Sequence, residues 1–182
     1  PPGQIHRPGM RLAERGLVFA PLPVLSPGLA DQLALRSRLG LRNSAHSLVK
    51  MLDPFAGRGL PVVSVTHPDY LTRMRDYFAA TGEDALLMRG SEGEPYANPR
   101  RQPQIELVRG GESTVLVQQS EGGAPVLPAA IDAKSTAEWT RQALAGGQPV
   151  PEPLVQQLAC CCYAAGRAEE FNQALALARG LT

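Results

Sequence analysis

With 182 residues, 43% of them hydrophobic, 5% aromatic and 19% charged, the chain can bury one core and part of a second. Eighteen Lys and Arg against 17 Asp and Glu leave a net charge of +1, which argues against a strongly basic nucleic-acid binder. No apolar run reaches the roughly 18 residues of a membrane span, the opening does not read as a signal peptide, and the three cysteines are consecutive (Cys160 to Cys162). Adjacent cysteines bridge only with strain, so the expectation is a reduced, cytoplasmic protein.

The total conceals an asymmetry. Residues 1–110 hold 14 basic and 10 acidic side chains, whereas residues 111–182 hold 4 and 7. The first part can therefore carry a basic face. The chain opens PPGQIHRPGM, without an initiator Met, and is expected to be a fragment lacking an N-terminal part.

In chain order, residues 1–16 read as loop plus a short polar helix, RLAERG, and Leu17 to Ala20 as a short strand. Ser26-Pro27 supplies an N-cap followed by Pro at the first helical position. Leu29, Leu33, Leu35 and Leu39 are expected to line one side of the helix that Gly40 stops. A second helix is expected from Asn43 to Leu52, ending before Pro54. Val62 to Val65 is β-branched and apolar, the pattern of a strand covered on both faces. Pro68 and Asp69 start a helix whose apolar face is expected to comprise Tyr70, Leu71, Met74, Tyr77 and Phe78. Asp84 to Met88 is the next strand, and strand–helix–strand at this spacing predicts a parallel βαβ unit. Ile105 to Val108 and Thr114 to Val117, split by Arg109-Gly110-Gly111-Glu112, predict a hairpin. Helices are expected at 135–145, 153–165 and 168–179. The fold class is α/β, a mostly parallel sheet flanked by helices with a small helical subdomain.

The segment RNSAHSLVKMLDP, Arg42 to Pro54, resembles the RTxFNxLGPLxNP signature of anthranilate phosphoribosyltransferases, glycosyltransferase family 3. It is closer still to the YbiB-type branch, described as DNA-binding relatives of that enzyme. VVSVTHPDYLTRMRDYFAATGEDALLMRGSEGEP and STAEWTRQALAGGQPVPEPLVQQLACCC resemble the same branch. The resemblance implies that residues 1–25 begin an α/β domain, that 26–53 supply helices of a small helical domain that also makes a homodimer, and that 54–182 complete the α/β domain. Arg42 falls on the arginine that contacts the aromatic acid in the family, His46 on its Asn, and Asp53-Pro54 on its Asn-Pro. The family's GTGGD-like loop is not in this chain.

Read as chemistry, Arg42 at the mouth of a helix suits an anion, which a guanidinium can fork. His46 and Lys50, spaced i, i+4 from it, suit a groove for a phosphate backbone. Arg36 and Arg38 precede them, and Arg89, Arg100 and Arg101 flank the loop RGSEGEPYANPRRQP. In the family that loop carries a paired Asp-Glu for Mg²⁺; here the pair falls near Pro95-Tyr96, and Glu92 and Glu94 alternate on a Gly-rich turn. The expected anion-binding set is thus Arg36, Arg38, Arg42, His46, Lys50, Arg89, Arg100 and Arg101, with no catalytic residue, metal or cofactor assigned. His67 reads as a helix N-terminal residue, Trp139 as a helix anchor, and the cysteines as structural. The leading expectation is a non-catalytic protein binding single-stranded nucleic acid through Arg and Lys contacts to phosphates. The rivals are an active transferase using phosphoribosyl diphosphate and Mg²⁺, and a scaffold without a ligand.

Overall fold

A computed structural model describes Gly16 and residues 19–55, 57–90 and 94–182. The helix expected at RLAERG and the strand positions Leu17 and Val18 lie outside the described residues, while Phe19 and Ala20 are irregular. The chain divides into two compact units, Pro1–Gly59 and Leu60–Thr182.

The first unit is helical. Its described elements are α1 (Leu22–Leu25), α2 (Pro27–Leu39), α3 (Ala45–Leu48) and a 3-10 turn at Val49–Met51. Pro27 opens α2, and Gly40, at φ 67°, closes it with its N–H on the Arg36 carbonyl, a left-handed cap that glycine adopts without cost. The expected leucine stripe is only partly realised. Leu29 and Leu33 are half-buried, but Leu35 and Leu39 are exposed. At about 100° per residue, Leu35 lies about 200° round the helix from Leu33, so the four leucines cannot share one face. The second helix is shorter than the expected Asn43 to Leu52. Asn43 precedes it, accepting from the Ala45 N–H through Oδ1 at 3.0 Å and donating from Nδ2 to the Gln32 carbonyl at 2.6 Å.

The second unit is built on a four-stranded sheet in the order β1 (Val62–Val65), β2 (Ala85–Arg89), β4 (Ile105–Arg109), β5 (Glu112–Val117). α4 (Pro68–Thr81) connects β1 to β2, and those two strands are parallel. The other two pairings are antiparallel. The α/β class is as expected, but in the described sheet the parallel character is confined to the βαβ unit. A second small sheet pairs β3 (Arg101–Gln102) with β6 (Ser120–Glu121). The β4–β5 turn is closed by Gly110 at φ 60° and Gly111 at φ 83°. Two successive positive φ values match the right-handed twist of a hairpin and are open to glycine at little cost.

Side-chain alternation divides the sheet between two helical layers. Leu86, Met88, Ile105 and Leu107 pack with Cys160 and Ala164, which lie on α6 (Glu152–Ala164). α7 (Phe171–Leu181) closes against α6 through Val155, Ala159, Ala174 and Ala178. From the opposite face, Arg75 of α4 reaches Glu106 of β4. On α4 the packing falls to Met74 and Phe78, whereas Tyr70, expected among them, is exposed. α5 (Ala133–Leu144) starts two residues before the expected Ser135, because Asp132 caps it by accepting from the Ser135 N–H at 2.9 Å.

Candidate functional site: an arginine-lined cleft

Where β1 and β2 run out, the chain leaves the sheet in adjacent places, the usual position of ligands in open α/β folds. Arg89 ends β2 and donates from Nε to the Thr66 carbonyl at 3.1 Å, which ties the two strand ends together. Gly90 follows, its N–H on the Val65 carbonyl at 3.0 Å. A side chain at Gly90 would collide with Ser64 Oγ and the Glu94 carbonyl. These two groups are hydrogen-bonded to each other, so glycine is what lets the next loop lie against the sheet.

That loop is fixed from two further directions. The Gln157 side chain on α6 accepts from the Ala97 N–H at 2.6 Å and donates to the Pro95 carbonyl at 2.9 Å. Asn98 forms a turn by accepting from the Arg100 N–H at 2.9 Å through Oδ1 and from the Arg101 N–H at 3.1 Å through its carbonyl, the preference that places Asn in turns. Gly122 lets the β6 side pack onto the Arg100–Arg101 backbone, where a Cβ would overlap it.

Together these segments enclose a cleft of about 210 Å³ lined by Thr66, Arg89, Gly90, Asn98, Arg101, Pro103 and Gln119. Arg89 and Arg101 are both exposed to solvent, and none of the described lining side chains is acidic. Arg100, adjacent in sequence, does not line it. Glu92 lies outside the described residues. Glu94 is exposed, and its backbone carbonyl is engaged by Ser64. Among the described residues no group of three or more His, Cys, Asp or Glu comes together as a metal site.

In the first unit, Arg36 and Arg38 stand exposed in the last turns of α2, and Arg42 is exposed ahead of α3. Because Arg42 precedes the helix, its four-residue separation from His46 is not a helical one. His46 is half-buried, with Nδ1 at 3.3 Å from the Asn43 N–H, so its ring folds back on the chain that enters the helix. Lys50 is half-buried in the 3-10 turn. Asp53 is a turn former, accepting from the Phe55 N–H at 2.7 Å and from the Gly57 N–H.

His67 caps α4, its Nδ1 accepting from the Asp69 N–H at 3.3 Å, as expected of a helix N-terminal residue. The Cys160 thiol is buried, and desolvation, reinforced by Cys161, pushes its pKa up to about 12. Sequence reasoning did not find Thr66, Asn98, Gln119 or the bridging Gln157, since neutral side chains on separate segments carry no mutual spacing.

No family model matches the chain. Its fold is that of a phosphoribosyltransferase: the crystal structure of anthranilate phosphoribosyltransferase (TrpD) from Thermus thermophilus matches with a TM-score of 0.73, over 96% of this chain and 54% of that one. At 23% identity the likeness is one of fold. In sequence, the chain is 46% identical over 168 residues to the uncharacterized protein YbiB of Escherichia coli (strain K12), covering 91% of this chain and 52% of that protein. The chain thus spans about half the length of each. No described helix is long and apolar enough to cross a membrane.

Proposed function

We propose that this protein binds single-stranded nucleic acid through its phosphate backbone, without transferase chemistry. The observation that carries the reading is the placing of Arg89 and Arg101 in one cleft with only neutral described neighbours, Thr66, Asn98 and Gln119. Guanidinium groups fork onto phosphate oxygens, and hydroxyl and amide side chains are ordinary phosphate partners. The solvent-exposed Arg36, Arg38 and Arg42 add to the count of cations available for backbone contacts, as does the Arg100 side chain. Affinity built this way is electrostatic and carries no sequence information.

Titration of the intact protein with a labelled oligothymidylate over a range of salt concentrations tests it. Each neutralised phosphate contributes about −0.7 to the log–log slope for a single strand, so a slope of several units is expected. A flat salt response, or no binding, overturns the reading.

The fold shared with anthranilate phosphoribosyltransferase favours one alternative, a transferase acting on phosphoribosyl diphosphate with Mg²⁺. Calorimetry with that compound distinguishes them: Mg²⁺-dependent binding accompanied by turnover supports the enzyme, and its absence supports the backbone binder.

A further inference from the structure

The first turn of α4 leaves the cleft at Thr66 and carries three groups that the core does not use. His67, Tyr70 and Arg73 follow one another at three-residue spacing, neighbours on a helix surface. The His67 and Tyr70 rings meet edge to face, with centroids 6.5 Å apart and planes at 84°. The Arg73 guanidinium carbon lies 5.8 Å from the Tyr70 ring centroid, within cation–π range. Hydrogen bonding of His67 Nδ1 to the Asp69 N–H holds one side of this array. Asp69, whose carboxylate is 3.6 Å from His67 Nδ1, is the acid of that turn. Tyr70 is 43% exposed, while the helix packs through Met74 and Phe78. The ring is therefore pre-oriented by its neighbours but not consumed by the core.

We propose that Tyr70, bracketed by His67 and Arg73, is a stacking platform for a base of the strand whose phosphates enter the Arg89–Arg101 cleft. The inference rests on the backbone-binding reading above and adds to it a contact that phosphate chemistry does not supply. Thr66 lines the cleft and its carbonyl receives Arg89. Tyr70 stands one helical turn, about 5.4 Å, beyond His67, the residue next to Thr66. A cationic cleft beside an exposed, oriented ring is the combination by which single strands are held without regard to sequence, since every base has a π-face. Arg73 contributes a second planar surface and a positive charge, both of which favour a stacked, phosphate-bearing ligand.

The test compares an oligothymidylate with an abasic strand of the same length by fluorescence anisotropy, using the intact protein and its Tyr70→Ala and Tyr70→Phe variants. The expected result is tighter wild-type binding of the oligothymidylate. Tyr70→Ala should weaken that binding roughly tenfold or more, in line with one base stacked on one ring. It should leave the abasic strand and the salt slope unchanged, and Tyr70→Phe should retain the wild-type affinity. Equal binding of both strands, or an unchanged oligothymidylate affinity in Tyr70→Ala, overturns the platform while the backbone reading stands. No binding of either strand overturns both.

Discussion

Arg75 grips Glu106 across the helix–sheet boundary with two hydrogen bonds, Nε to Oε2 at 2.9 Å and Nη2 to Oε1 at 3.0 Å. The Glu106 side chain is only 3% exposed and that of Arg75 33%. Ser113 and Gln104 complete the carboxylate's shell at 2.9 and 2.8 Å. Burial alone would raise the Glu106 pKa, but the hydrogen bonds from Arg75, Ser113 and Gln104 outweigh it and hold the group below its ordinary range. The hydrogen bond to Glu106 likewise raises Arg75. Replacing Arg75 by Leu should destabilise the fold by about 3 kcal/mol, because a buried carboxylate then lacks its partner. Urea unfolding at pH 7 measures it.

The same pair sets a pH dependence. A depressed carboxylate pKa contributes stability that is present above the unfolded value, near the ordinary 4.5, and is lost as pH falls through the folded value. In Arg75→Leu the unpaired, buried Glu106 should titrate above its ordinary range. The deficit relative to wild type should therefore shrink as pH falls below about 5. Parallel melts from pH 7 to pH 3 follow the convergence.

Arg89→Ala and Arg101→Ala should each reduce the salt slope for single-stranded DNA by about 0.7 and weaken binding similarly for all sequences. Arg100→Ala, outside the cleft, should have a smaller effect than either. Salt-dependent anisotropy titrations of the three variants rank them.

Gly90→Ala places a methyl group against Ser64 and the Glu94 carbonyl, contacts that cannot yield without moving the loop. It should cost about 1–3 kcal/mol through overpacking and reduce strand binding together with stability. Thermal melting and the binding titration of one preparation report both.

Cys160, fully buried and with its pKa pushed up to about 12, should resist alkylation by iodoacetamide at pH 8 in the folded protein, since the thiolate is the reactive species. It should be modified readily once the chain is unfolded. Peptide mass mapping of the two samples identifies the protected thiol.

What could be read from the chain was local. Gly110-Gly111 between two apolar runs specifies a hairpin, and Pro68 with Gly82 brackets α4, because each is a backbone preference of a residue and its neighbours. The cleft was legible only in part. Arg89 and Arg101 stood out as charges, but that they meet while Arg100 turns elsewhere depends on the Asn98 turn and on Gly122 packing against that backbone. Tyr70 was assigned to the packing face by residue type and period. It occupies the first turn of α4, whereas Met74, one turn further, is buried, and hydrophobic period does not register where a sheet ends. The sheet's antiparallel half follows from β4 pairing with β2, a long-range choice with no local signal.

Gln157 gives the cleft an unexpected dependency. One side-chain amide supplies both a donor and an acceptor to the loop at Pro95 and Ala97, so the wall carrying Asn98 is clamped to α6, and α6 is itself braced by α7. The cleft is therefore mechanically coupled to a helix that contributes no residue to it. Fraying of α7 should be felt at Arg101 as a loss of shape, making the last helix of the chain a remote determinant of binding.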